Sequence, residues 1–318
     1  MRKRTGLLWA IAIAVTLVFG WLAIRGVDFD EVWRSLRDAN LAWLAASLAV
    51  LGVAIFVRAI RWRALFLPET RPGIGPVTAA TLVGLAVNSV LPMRAGEAAR
   101  VIALGRTGSS RVETFATIAL ERALDVFCLL LLVIVAAPVL PEVTWIGGAV
   151  VLAVVFAVGL AAAAVAFAVW KDRPLHALAA LVGRLPFVTS EQIEHAGESL
   201  ARGFAGLRHG RIALAGLSWT MCSWLLTAFS FWLATLAFDL DLPVSSGVLV
   251  LGAIGLSLLL PAAPGGLGVF EAATVLALAA YDVPREEALS YAFALHAINL
   301  FPFLLAGAVA ARFTRPPR

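Results

Sequence analysis

The chain has 318 residues, of which 61% are apolar and only 14% carry a charged side chain. Its mean hydropathy is +0.93, whereas charged residues make up about a quarter of an ordinary soluble domain. This composition excludes a soluble globular protein and predicts an all-α, polytopic membrane protein. The formal net charge of +5 is less informative about membrane topology than the placement of the basic residues along the chain.

The N-terminal region begins with a basic stretch, residues 2–4, followed by an uncharged run over residues 5–24. That run is long enough to cross a bilayer as a helix, and no small-residue cleavage site follows it. We therefore expect a retained signal anchor. Residues 28–38 are short and amphipathic, with Asp28 three residues before Glu31 as in a capping box, and predict a helix lying in the membrane interface.

The second apolar run, residues 41–60, predicts another spanning helix. Arg58, Arg61, Trp62 and Arg63 lie at its end and are typical of a basic and aromatic anchor at the cytoplasmic boundary.

Residues 76–104 predict a broken segment rather than an ordinary span. An apolar half ends at Pro92, and polar residues lie on both sides of that break. They are Asn88, Arg94, Glu97 and Arg100. A helix broken inside the membrane frees backbone N–H groups, which together with an arginine suit an anionic head group such as phosphate. Alternatively, Arg94 and Arg100 extend to the cytoplasmic interface without binding a ligand.

Two further spans are predicted at residues 113–137 and 143–170. The polar stretch 171–211 contains a helical apolar stripe and predicts an amphipathic connector resting on the cytoplasmic leaflet. Residues 212–238 predict another span.

The last part of the chain contains a second broken segment, residues 245–281, and a final span over residues 286–313. Pro261 and three glycines, Gly265, Gly266 and Gly268, interrupt this second segment. Glycine allows unusual backbone dihedrals and close backbone approach. Broken helices at corresponding positions of two halves indicate the binding site of a transporter.

The basic residues predict the topology. With the N-terminus inside and each broken segment entering and leaving on one side, eighteen of the 25 Lys and Arg residues flank cytoplasmic regions. This bias predicts six full spans plus two inverted re-entrant segments in the cytoplasmic membrane, with both termini cytoplasmic. We expect a single domain, 1–318, whose halves are 1–137 and 212–318.

Charged residues inside apolar segments are functional candidates, because charge in the hydrocarbon is costly. Arg122 and Asp125 are spaced i, i+3 and can pair on one helix face. Two roles remain open for them: an internal ion pair that makes the helix insertable, or a part in substrate binding. Glu271 follows the glycines by one turn; it could neutralise Arg94 or Arg122, meet a cationic substrate group or carry a proton.

His296 lies in the final span and is either a packing residue or part of a proton relay with Glu97 and Glu271. Cys128 and Cys222 lie in apolar runs and are read as packing residues. The sequence contains none of the common hydrolase, metalloprotease or P-loop motifs. We therefore expect no catalytic centre, cofactor or metal.

Three motifs in this order resemble the lysylphosphatidylglycerol synthase transmembrane-region family: residues 91–97 with Arg100, residues 121–125 and residues 264–271. The resemblance covers nearly the whole chain. It implies a lipid flippase fold with two re-entrant regions. The best-known members of that family move aminoacylated phosphatidylglycerol between leaflets and carry a soluble aminoacyltransferase domain after the membrane region, whereas this chain ends at Arg318. Stand-alone relatives are linked to other lipids, including polyprenyl-linked ones.

The resulting hypothesis is a lipid translocase for an anionic or aminoacylated phospholipid or a polyprenyl-linked lipid. Its candidate substrate-binding residues are Asn88, Arg94, Glu97, Arg100, Arg122, Asp125, Gly265, Gly266, Gly268 and Glu271. The alternatives are an integral-membrane lipid-modifying transferase and a non-catalytic partner of a lipid synthase. The expected partners are a membrane lipid, a separate lipid synthase and a second copy of the chain, and no nucleic acid.

Overall fold

A computed structural model describes residues 2–91, 95–143, 210–257 and 263–314, together with five positions between 147 and 159. In α1, side chains are described only from residue 13 onward. Every regular element in these ranges is helical, which confirms the predicted all-α fold. The α-helices are α1 (Arg2–Ile24), α2 (Phe29–Asp38), α3 (Leu41–Ala64), α4 (Ile74–Val90), α5 (Ala95–Gly105), α6 (Arg111–Ala136), α7 (Gly210–Thr235), α8 (Ser245–Ser257), α9 (Val269–Ala279) and α10 (Arg285–Ala310). The predicted span 143–170 and connector 171–211 lie almost wholly outside the described residues.

Three of these helices are long and apolar enough to cross a bilayer: α3, α7 with its following turn to Phe238, and α10. Helix α6 has 26 residues but carries Glu121, Arg122 and Asp125 within its apolar stretch. The chain is therefore a multi-pass integral membrane protein, and the number of six full spans stays a prediction.

Helices α3 and α7 form the most extensive helix pair of the described ranges. Ser47 and Ser230 lie at their contact, and each hydroxyl donates to the other residue's backbone carbonyl, at 2.7 and 2.8 Å. Near the other end of the pair, Leu65 packs against Gly216. Small residues and interhelical hydrogen bonds are the usual means by which helices associate in a bilayer, where the hydrophobic effect does not drive them together.

The first broken segment is a helical hairpin. Helix α4 ends at Val90 and α5 begins at Ala95, and the two helices pack against each other. The backbone N–H of Gly96 donates to Oδ1 of Asn88 at 2.7 Å. A Cβ atom on Gly96 would lie 2.0 Å from the carbonyl oxygen of Gly84, so this close approach requires glycine. Residues 92–94, including Pro92 and Arg94, lie outside the described residues.

The second broken segment consists of α8 and α9, which pack against each other, and the short 3-10 turn Pro264–Gly266 precedes α9. Residues 258–262, including Pro261, lie outside the described part. Gly265, Gly266 and Gly268 have φ of 72°, 77° and 77°, a region that favours glycine. This tip packs against α1, because the N–H of Ala263 donates to Thr16 Oγ1 at 2.9 Å.

The tip of the second broken segment meets the end of α4. The turn Pro264–Gly266 contacts α4, and a Cβ atom on Gly265 would lie 3.6 Å from the carbonyl oxygen of Ser89, near the end of α4. Since α4 and α9 come from different parts of the sequence, this contact joins the two halves of the chain.

Helix α2 packs by one face against α1 and α10. Its buried residue Val32 lies with Ala23 and Leu289, whereas Phe29 and Trp33 are 54% and 69% exposed. The N-cap is Asp28, but it accepts the N–H of Asp30 at 2.9 Å rather than forming the expected capping box with Glu31. An amphipathic helix with exposed aromatic side chains is compatible with a position in the membrane interface.

Candidate functional site

Glu121 of α6 is the centre of a buried group of ion pairs. Its carboxylate is only 2% exposed and accepts two hydrogen bonds from Arg100, at 2.9 and 2.7 Å. Arg122 donates to it at 2.6 Å, and Arg61 lies 2.9 Å away. We call this group, together with Asp125 and Glu97, the ionic cluster.

Asp125 lies one helical turn beyond Glu121 and completes the cluster on the same face of α6. It pairs with Arg61 and with Arg122, the latter at 2.8 Å, so the i, i+3 pair expected from the sequence is present. Arg122 also faces Glu97 of α5 at the longer distance of 3.7 Å. The carboxylates of α5 and α6 therefore bind arginines that come from three helices, α3, α5 and α6.

The cluster has a buried framework and a partly exposed edge. The side chains of Arg61 and Glu121 are 1% and 3% exposed, and that of Arg100 is 9% exposed. In contrast, the side chains of Arg122 and Glu97 are 38% and 31% exposed. These last two are the cluster residues that a ligand reaches first.

Arg61 and Trp62 differ from their predicted role as a cytoplasmic boundary anchor. Both are fully buried, because Arg61 inserts between Glu121 and Asp125 and Trp62 packs beneath Arg100. The guanidinium of Arg100 lies 3.9 Å from the centroid of the Trp62 ring, and Trp62 Nε1 donates to Thr117 at 3.1 Å. Sequence reasoning missed Arg61 and Glu121 as site residues, since their pairing joins helices about 60 positions apart.

Arg58 adds a fourth arginine beside the cluster. It donates to the Thr227 hydroxyl at 3.1 Å and lies 4.9 Å from the ring centroid of Trp224. The ion pairs of the described residues give it no carboxylate. Arg58, Arg61, Arg100 and Arg122 thus face three carboxylates, and the nearby Trp224 Nε1 is buried without an acceptor in the described part of the chain.

A second polar centre lies at the tip of the second broken segment, and we call it the tip cluster. His296 Nδ1 is 2.6 Å from Glu271 Oε1, and His296 Nε2 is 3.0 Å from the carbonyl oxygen of Gly265. The other oxygen of Glu271 accepts the N–H of Gly268 at 2.7 Å. Phe270 stacks on the imidazole at 4.3 Å.

The geometry divides the predicted site residues into these two centres. Glu271 contacts His296, not Arg122, because Arg122 is engaged by the carboxylates of α5 and α6. Asn88 lies between the centres: it binds Gly96 of α5, and its neighbour Ser89 faces Gly265. Arg94 lies outside the described residues.

The comparison with protein families confirms the resemblance drawn from the motifs. A family model described as "Lysylphosphatidylglycerol synthase TM region" matches residues 9–307. The match includes both broken segments, the ionic cluster and the tip cluster.

Two curated relatives are similar over most of this chain. "Glycosyltransferase AglD" of Haloferax volcanii is 29% identical over 92% of this chain and 51% of the relative. A "UPF0104 membrane protein" of Methanothermobacter thermautotrophicus is 25% identical over 81% of this chain and 82% of the relative. The chain thus spans about half the length of the Haloferax protein.

Proposed function

This chain belongs to the lysylphosphatidylglycerol synthase TM region family, and on that premise we propose that it moves a lipid with an anionic head group between the leaflets of the cytoplasmic membrane. The observation that carries the proposal is Arg58, a surplus positive charge beside the ionic cluster, whose own three arginines are matched by three carboxylates. An uncompensated charge among membrane helices costs several kcal/mol. A lipid phosphate would compensate it.

The chemistry of Arg58 and its neighbours suits a phosphate. Guanidinium groups form paired, charge-assisted hydrogen bonds with phosphate oxygens. Arg58 is held by a hydroxyl and an indole ring rather than by a carboxylate, and the indole N–H of Trp224 is a further free donor within the described part. A phosphate at this position would use both groups without breaking an existing ion pair.

The exposed edge of the cluster suits the remainder of a head group. Arg122 and Glu97 are separated by 3.7 Å and partly exposed, so a ligand can displace this contact at little cost. The ammonium of an aminoacylated lipid would pair with Glu97, whereas a sugar would use the same groups as hydrogen-bond partners. Arg61, Glu121 and Arg100 would hold the edge in place.

The names of the family and of one relative suggest two lipid classes for the test. One is an aminoacylated phosphatidylglycerol, from the family name, and the other is a lipid-linked sugar, from the glycosyltransferase name, for which we choose the polyprenyl-phosphate form included in the sequence hypothesis. Both contain a phosphate, which is the chemistry that the arginine surplus would recognise.

Translocation is tested with purified protein in liposomes containing a fluorescent lipid, by quenching the label in the outer leaflet. The panel comprises phosphatidylglycerol, its lysyl derivative, a polyprenyl-phosphate sugar and, as a phosphate-free control, a neutral glucosyl diacylglycerol. We expect at least one phosphate lipid of net or local negative charge to move faster than in protein-free liposomes. Arg58→Gln and Arg122→Gln should reduce that rate about tenfold or more, in line with the loss of a charge-assisted contact.

Arg106→Gln is the matched control, because Arg106 is an exposed arginine just after α5 and outside the cluster. It should transport like the unaltered protein. If no lipid of the panel moves faster than in empty liposomes, or if both cluster variants transport normally, the proposal is wrong.

A second candidate is an integral-membrane lipid-modifying transferase. The name of the Haloferax relative, a glycosyltransferase, favours this candidate. Mass spectrometry of the lipids after incubation with activated sugar donors tests it. A new lipid product formed by the purified chain alone would favour the transferase. A product that requires a separate soluble enzyme would instead make this chain the membrane partner of that enzyme.

A further inference from the structure

We propose that Glu271 and His296 form a proton-binding site whose occupancy holds the glycine-rich tip, residues 263–268, closed against α1, α4 and α10. The proton would also be the ion that drives lipid movement. That second statement rests on the proposed function, whereas the proton site does not.

The hydrogen-bond geometry fixes how many protons the closed tip contains. His296 Nε2 faces the carbonyl oxygen of Gly265, which can only accept, so Nε2 carries a hydrogen. His296 Nδ1 lies 2.6 Å from Glu271 Oε1, and one of these two atoms must carry a second hydrogen. The closed tip therefore holds two protons on this pair, as a neutral acid with imidazole or as a carboxylate with imidazolium.

Removal of one proton breaks this arrangement. Either the lone pair of Nδ1 then faces a carboxylate, or the lone pair of Nε2 faces the carbonyl of Gly265, and both contacts are repulsive. The pair also gains a net negative charge at residues that are only 5% and 6% exposed, which is unfavourable away from water. Since the pair holds Gly265 through His296, deprotonation weakens the contacts that fix the tip there, while the N–H of Gly268 keeps its carboxylate acceptor.

Within the described part of the chain, few charged side chains near the pair could replace that proton. The described part of α1 from residue 13 and all of α4 and α8 contain no charged side chain, and Glu271 is the only one in α9. The other charges of α10 are Arg285, Glu286 and Glu287, at least nine residues or about 13 Å along the helix from His296.

The remaining helices that contact α10 are α2, α3 and α7. The charged side chains of α2 lie near the start of α10, at the same end as Arg285 and away from His296. Those of α3 and the described part of α7 are Arg58, Arg61, Arg63 and Arg211. Arg61 is bound by the ionic cluster and Arg58 by α7. Among the described residues, therefore, Glu271 and His296 have each other as ion-pair partners.

The tip is placed so that its release reaches the proposed lipid site. Three residues with positive φ give it the backbone freedom to change conformation, and it rests on α4 at Ser89. The preceding residue, Asn88, binds Gly96 next to Glu97 of the ionic cluster. Opening of the tip would therefore remove support from the end of α4 that bounds the cluster.

The proton site is tested by cysteine labelling across a range of pH, in a protein whose Cys128 and Cys222 are replaced by alanine. Val269→Cys reports tip opening, because Val269 is fully buried at the start of α9. Leu267→Cys, two residues earlier and 51% exposed, is the matched control that corrects for the ionisation of the thiol itself. We expect the ratio of the two maleimide-labelling rates to rise about tenfold as pH increases.

The ratio should lose most of its pH dependence in Glu271→Gln and in His296→Gln, because each replacement removes one of the two groups that share the proton. Glu271→Gln keeps the size of the side chain and so guards against a simple loss of folding. A pH-independent ratio in the unaltered protein, or a pH dependence that survives both replacements, would overturn the proton site.

The coupling is tested separately in liposomes with and without a pH gradient. We expect the gradient to accelerate lipid movement in the unaltered protein and to have no effect in His296→Gln. If lipid moves but ignores the gradient, the coupling is wrong while the proton site stands. If no lipid moves at all, the proposed function fails, and the labelling ratio still decides the proton site.

Discussion

Glu121 is the residue on which the ionic cluster depends, because its carboxylate contacts Arg61, Arg100 and Arg122. Removing one partner of a buried ion pair leaves an uncompensated charge and typically costs about 3–5 kcal/mol. We therefore expect Glu121→Gln to lower the free energy of unfolding by about 3 kcal/mol or more, measured by denaturation in mixed micelles. Glu142→Gln is the control, since Glu142 is exposed in the turn after α6, and it should change stability little. Equal stability of the two variants would contradict the central role of Glu121.

At the same scale, the sequence predicted contacts within one helix better than contacts between helices. The Arg122 and Asp125 pair follows from i, i+3 spacing alone. The burial of Arg61 does not, because only the approach of α3 to α6 shows that an arginine beside Trp62 faces carboxylates rather than lipid head groups. For the same reason, Arg100 looked like a free ligand for substrate, whereas the fold engages both of its terminal nitrogens with Glu121.

At the scale of elements, the close contact between α4 and α5 gives a second test. Gly96→Ala would place a Cβ atom 2.0 Å from the Gly84 carbonyl and 2.6 Å from the side chain of Asn88. The two helices must then separate, which breaks the hydrogen bond from Gly96 to Asn88. We expect a clear loss of thermal stability in detergent and a loss of lipid translocation.

Gly52→Ala is the matched control for that test. Gly52 lies within α3, and a Cβ atom there would meet nothing within 4 Å. Alanine also has the higher helix propensity, so this variant should be neutral or slightly more stable. If Gly96→Ala behaves like Gly52→Ala, the two helices do not pack as closely as described.

The sequence located both helix breaks but not the conformation of the second tip. Pro92 in one segment, and Pro261 with three glycines in the other, are strong signals that a helix cannot continue. In contrast, the pairing of Glu271 with His296 depends on a loop with three positive φ angles that folds back onto α10. Local patterns do not specify such a loop, so the sequence named both residues as candidates for a proton relay without predicting their direct contact.

At the scale of the whole molecule, the loops separate into two ends of opposite charge. One end joins α2, the turn after α7 and the start of α10, where Arg285 donates to the Leu22 carbonyl. Its acidic residues are Asp28, Asp30, Glu31, Asp38, Asp239, Asp241, Asp282, Glu286 and Glu287. Among the described side chains, the other end contains six arginines, and the acidic end contains four: Arg63, Arg71, Arg106, Arg111, Arg211 and Arg312 against Arg25, Arg34, Arg37 and Arg285. By the positive-inside rule, the arginine-rich end is expected to face the cytoplasm.

The re-entrant path of α4 and α5 gives the sharpest test of this orientation. Thr70, just before α4, donates to Glu113 at the start of α6, so the chain enters and leaves the hairpin at one end of the bundle. In a protein whose native cysteines are replaced by alanine, we expect a membrane-impermeant maleimide to label Thr107→Cys only from the cytoplasmic side. Val244→Cys, which is 53% exposed before α8, should react only from the opposite side. Labelling of both positions from the same side would mean that α4 and α5 together cross the membrane, because Thr107 would then lie beside Val244 at the acidic end.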